Sequence, residues 1–159
     1  MNPSLPDELT RHWHMLRGRT YDLLDSLTAA DLGRKLPFPA SQSIGYQFWC
    51  MLGSQESWVA FLQNGALEHW SCSLNDTPQA DLTPAIIRQR FEAADDRYLS
   101  ALAASDPLQP YPNGLTPLVV HQMLVEHEAH HHGQLINFIY ALDLPIPASW
   151  AQQGALSRD

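Results

Sequence analysis

Residues 126–134 read Glu-His-Glu-Ala-His-His-His-Gly-Gln and gather four of the chain's eight histidines inside a long helical apolar pattern. At about 100° per residue around such a helix, His127 and His131 fall in the middle of the stripe formed by Val120, Met123, Leu124, Leu135, Phe138 and Leu142. Both are expected to face the core. His130 falls at the edge of the stripe, and His121 and His132 well outside it. Glu126 and Glu128 are rotated away from it and are expected on the solvated surface. Two neutral imidazoles at i and i+4 stack on one face and can each place a nitrogen on one divalent ion. Buried without polar partners, each would cost about 1–3 kcal/mol in desolvation, which favours ligation for the inward pair.

His127-Glu128-Ala129-His130-His131 also fits H-E-x-x-H, the zinc-protease pattern in which the Glu serves as general base. The rest of that pattern is missing. No Glu follows Glu128, Gln134 stands where the extended form requires Gly, and Asn137 where it requires the third His. A zinc protease of this type is therefore not expected.

The elements that must position these residues are helical. Ser4 can cap a first helix over about Leu5–Leu27, with Pro6, Asp7 and Glu8 in its first turn and Leu9, Trp13, Leu16, Leu23, Leu24 and Leu27 as its inner stripe. A connector follows, with a short helix around Ala29–Arg34 and then Pro37 and Pro39. Ser43 caps the second long helix, which Asn64-Gly65 stops; Ile44, Phe48, Met51, Leu52, Val59 and Leu62 mark its apolar side. Residues 65–82 read as a long loop. Thr83-Pro84 and Thr116-Pro117 are two further start signals, for helices to about Ala104 and Leu142. Ile87, Phe91, Ala94, Tyr98 and Leu102 line the third. The tail from Asp143 is expected as irregular chain or one short helix against the outside. Four long amphipathic patterns without a convincing strand predict an all-α four-helix bundle.

Composition sets the outer limits. With 159 residues and 45% apolar content, the expectation is a single domain over 1–159. A formal charge of −8, one Lys (Lys35) and eight Arg leave no basic stripe for phosphates, so nucleic acid is not an expected partner. No apolar run approaches the roughly 18 residues needed to span a bilayer, and an acidic N-terminus is unlike a signal peptide. A cytoplasmic location is expected, with Cys50 and Cys72 as thiols rather than a disulfide.

The helical bundle, Ser43-Ile44-Gly45 opening the second long helix, His127-x-x-x-His131-His132-Gly133-Gln134 on the fourth, and Leu144-Pro145-Ile146-Pro147 with Trp150 after it together resemble the DinB/YfiT-like superfamily. The resemblance implies an up-down-down-up bundle holding a divalent metal, zinc or nickel, and a homodimer. It places His127 and His131 as two ligands and puts His132 where a basic residue usually stands. The third ligand, five residues after Gly45, is a His in the family pattern and Cys50 here. A thiolate is a good zinc ligand, and a Cys-His-His set with an open position suits a catalytic site; alternatively, Cys50 is a small buried residue in a degraded site. Cys72, in the long loop, is not expected to ligate. Gln134, one turn beyond His131, is read as its polar neighbour or as the wet edge of the site, and His12, His14 and His69 receive no role. The function implied is a thiol-dependent S-transferase, in which metal activates a low-molecular-weight thiol toward an electrophilic small molecule. The alternative is a non-catalytic bundle that binds a small molecule or a partner.

Overall fold

A computed structural model describes residues 3–67, 69–154 and 156–158 of the chain. Its elements are α1 (Leu5–Ser26), α2 (Ala29–Leu32), α3 (Ile44–Asn64), α4 (Pro84–Ala103), α5 (Pro117–Ala141) and α6 (Ala148–Gly154), with 3₁₀ turns at Ser73–Asp76 and Gln79–Asp81. The start signals act as expected. Ser4 and Asp7 close a capping box on α1, Ser43 accepts from Tyr46 N–H, and Thr83 and Thr116 each accept from the residue three further on. Such caps satisfy amides that the first helical turn leaves unpaired.

In the bundle, α1 packs on α4 and α5, and α3 packs on the same two, so α1 and α3 are diagonal. Cross-helix contacts give the directions. Trp13 with Asp95 and Asp25 with Arg88 set α1 against α4. His12 with His121 and Thr20 with His132 align α1 with α5. Gln47 with His131 and Ser54 with His127 oppose α3 to α5. The long helices therefore run up-down-down-up. No described helix is long and apolar enough to cross a membrane.

The inner stripes read from the sequence of α1, α3 and α4 are all buried, and all of their residues but Leu16 fall in two clusters. One gathers Leu23, Phe48, Phe91 and Phe138, the other Trp13, Phe61, Tyr98 and Val120. Between them sits a polar layer with no counterpart in the apolar pattern. The Arg17 guanidinium, 1% exposed, meets Asp95 at 3.3 Å and Glu128 at 3.1 Å. Nε and Nη1 approach these oxygens off the N–H axis, as charge contacts; Nη2 donates an aligned bond of 2.7 Å to Gln55. Phe91 and Trp13 flank the group at 4.1 and 4.8 Å. Asp95 accepts in addition from Trp13 at 2.8 Å, Gln55 at 2.7 Å and Tyr21 at 2.5 Å.

The loop after α3 is strapped across that helix by Trp70. A Cβ on Gly53 would lie 2.0 Å from the Trp70 ring, so only glycine admits it. Trp70 packs on Trp49, whose indole donates to Asn75, and Ser57 accepts from Ser71 N–H. At the other end of α3, Gly45 lets the helix start close against Leu32. This fixes the connector that walls the site.

Candidate metal centre

Opposed α3 and α5 bring Cys50, His127 and His131 together, one ligand atom from each lying within 4.8 Å of the others. The Cys50 Sγ is 3.7 Å from His127 Nε2, and the two imidazole centroids are 4.6 Å apart. Bond lengths of about 2.3 Å for Zn–S and 2.0–2.1 Å for Zn–N put donors of one tetrahedral ion roughly 3.3–3.6 Å apart. The 3.7 Å pair is already near that spacing, and separations of up to 4.8 Å need to close by at most about 1.5 Å for the three donors to meet one divalent ion.

Their protonation suits the same use. Burial, reinforced by neighbouring His130, holds His127 below the ordinary histidine range, and burial with His127 and His130 pushes His131 down to about 4. Both rings are neutral at pH 7, with lone pairs available. Burial pushes the Cys50 thiol up, so ligation through sulfur requires loss of a proton. His131 Nδ1 donates to Gln47 Oε1 at 2.7 Å, leaving Nε2 unprotonated. Such a partner fixes both tautomer and ring orientation. Gln47 was not legible as a site residue, since a buried Gln one turn before Cys50 has no distinctive sequence pattern. Ser54, on the same face as Cys50, lies 3.3 Å from His127 Nε2.

The group opens into a cavity of about 1070 Å³ between the connector and the ends of α3 and α5. Leu36, Phe38 and Tyr46 form one wall, Phe138 and Tyr140 another, and Gln134, Asn137 and the exposed His130 the polar side. Gln134 bonds to His130 at 2.9 Å, which makes it part of the wet edge.

Three expectations for α5 are corrected. Glu128, expected in solvent, is 2% exposed; it faces α1, accepts from Thr20 and meets Arg17. Burial raises its pKa against the pull of Arg17 and Thr20, and it points away from the cavity, so it is no base for chemistry there. His132, expected outside the stripe, is buried with Nε2 2.7 Å from Thr20 Oγ1 and its ring against Trp150. Burial first, then Arg19 and Arg17, pushes it down to about 3. His121 is buried as well, 2.6 Å from the Tyr98 hydroxyl and 3.4 Å from His12. The cause is shared. α5 is wedged between α3 and α1, so it buries two adjacent faces, with 127 and 131 on one and 128 and 132 on the other. Glu126 is exposed as expected, and so are His12, His14 and His69, none of which lines the cavity. Cys72 is a free buried thiol near Trp49 and is not part of the group.

The fold is thus an up-down-down-up helical bundle with a histidine pair on its last long helix facing the second. The chain matches the DinB superfamily over residues 8–135, a span holding Cys50, His127 and His131, and it belongs to that superfamily. A comparison with curated proteins gives no match.

Proposed function

We propose that Cys50, His127 and His131 hold one divalent ion, zinc or nickel, and that the protein is a thiol-dependent S-transferase. The observation that carries the reading is the placement of three donors within 4.8 Å of one another at the base of a cavity large enough for two small molecules. When bound, a divalent ion supplies a lowered thiol pKa and hence thiolate at neutral pH. The protein supplies the rest. Gln47 keeps His131 in the tautomer that presents Nε2, Ser54 offers a hydroxyl beside His127, and Leu36, Phe138 and Tyr46 keep bulk water from the reacting sulfur. In the overall step R–SH gives its proton to solvent, its sulfur forms a bond to the electrophilic carbon of R′–X, and X leaves with the bonding electron pair. A non-catalytic binding bundle is the second reading, favoured by Cys50 standing where the family pattern has His.

Isothermal titration of metal-free protein with zinc and nickel tests the site. One equivalent of zinc is expected to bind, with retention lost in His127→Ala and His131→Ala. Cys50→His is expected to keep similar affinity while shifting preference from zinc toward nickel; a sharp rise in affinity instead marks the degraded site of the second reading. No binding by either protein refutes the metal centre. With zinc bound, conversion of 1-chloro-2,4-dinitrobenzene and a thiol to the thioether separates transferase from binding module.

A further inference from the structure

The cavity over Cys50, His127 and His131 is large, and its described lining lacks the side chains that carry full charges. None of its seventeen lining residues is Asp, Glu, Lys or Arg. Its hydrogen-bonding groups include the carboxamides of Gln42, Gln47, Gln134 and Asn137. Its rim exposes three aromatic rings to water, Phe38 at 54%, Tyr46 at 38% and Tyr140 at 43%. The arginines just beyond that end of α5 are committed elsewhere. Arg34 binds Asp31 at 3.0 Å and the Leu142 carbonyl at 2.8 Å, and Arg158 binds Asp143 at 2.6 Å and the Leu144 carbonyl. The whole chain carries −8, so no long-range field draws an anion in.

From this we infer that the cavity takes an uncharged ligand with an aromatic or aliphatic body, and selects against ligands bearing carboxylates. Desolvating a carboxylate costs several kcal/mol unless a cation or several N–H donors receive it; the described lining offers no Lys or Arg, and in a metal-loaded site the ion's two positive charges would be matched by the Cys50 and ligand thiolates. An apolar body covers Phe38, Tyr46 and Tyr140 and gains from their burial. Carboxamides on the polar side then orient neutral oxygen or nitrogen atoms. Resting on the S-transferase reading, the inference makes the thiol one whose only ionisable group is its sulfur, and the electrophile neutral.

Two fluorescent probes with the same ring system test the charge rule without metal. N-phenyl-1-naphthylamine is neutral, and 8-anilinonaphthalene-1-sulfonate adds one negative charge. The metal-free protein is expected to bind the neutral probe at least tenfold more tightly. Asn137→Arg, at an exposed position on the cavity's polar side, is expected to close or reverse that difference by adding the missing cation. In zinc-loaded protein, benzyl mercaptan is expected to displace the neutral probe at concentrations at least tenfold below those required of mercaptosuccinate. Equal or tighter binding of the sulfonate by the parent protein, an unchanged ratio in Asn137→Arg, equal competition by the two thiols, or no binding of either probe each overturns the inference. Failure to retain zinc with the probe ratio intact overturns the S-transferase reading alone and leaves the charge rule standing.

Discussion

Arg17→Met removes the guanidinium that touches both buried carboxyl groups while leaving a side chain of similar length between Phe91 and Trp13. Deleting one partner of a buried ion pair costs about 3–5 kcal/mol, because the other charge is left without compensation. Here the lower end is expected. Asp95 keeps three donors, at 2.8, 2.7 and 2.5 Å from Trp13, Gln55 and Tyr21. Burial raises the Glu128 pKa, so on losing the cation that carboxyl can take up a proton instead of remaining a stranded charge. The methionine refills the slot against the two rings, which removes most of the cavity penalty. About 3 kcal/mol is a large share of the 5–15 kcal/mol typical of a domain, and at 2–4 °C per kcal/mol for this size it lowers Tm by about 6–12 °C. Urea unfolding followed by far-ultraviolet circular dichroism, with chelator present throughout, measures the loss. Glu128→Gln is the control: an amide is nearly isosteric with a neutral acid and still accepts from Thr20, so its cost should stay near 1 kcal/mol. A loss under 1 kcal/mol for Arg17→Met would show that the layer does not depend on the guanidinium. A cost for Glu128→Gln equal to that of Arg17→Met would show that Glu128 is charged in the fold.

Gly53→Ala should gain up to about 1 kcal/mol of helix propensity yet weaken the structure, because a Cβ there displaces the Trp70 ring; losing roughly 100 Å² of indole burial costs about 2.5 kcal/mol. Limited proteolysis within 65–82 should accelerate, and an unchanged cleavage rate would refute the strap. His121 is pushed down to about 4 by burial, then by His12, so the unfolded chain binds its proton first. Its stabilising contribution is present above about pH 6.5 and is lost as pH falls toward 4. Between pH 7.5 and 5.5 the parent should therefore lose about 1 kcal/mol more than His121→Gln, and parallel urea profiles would contradict this. His132→Ala, neutral on a surface reading, should cost about 1–3 kcal/mol through the lost bond to Thr20 and the emptied contact with Trp150; a melting temperature within 1 °C of the parent would defeat that placement.

Much of this protein was decided locally. Helix starts at Ser4, Ser43, Thr83 and Thr116 follow from side chains that cap their own helices, and local geometry needs no tertiary partner. The same holds for the apolar stripes of α1, α3 and α4, whose period of 3.6 singles out the buried residues. His127 and His131 share a face for the same reason, and their meeting with Cys50 follows the family pattern carried onto this chain. What the sequence could not yield is how many neighbours a helix has. A stripe assumes one buried face, whereas α5 lies between α3 and α1, and that second face turns Glu128 and His132 from expected surface into core. Arg17, Gln55 and Asp95 on three different helices look like ordinary solvated residues until packing brings them within one layer. Gln47 becomes the partner of His131, and Gly53 the seat of Trp70, for the same reason. Caps and period act within a few residues of chain, while buried charge, tautomer and cavity wall are set by atoms distant in sequence, and only tertiary packing brings those together.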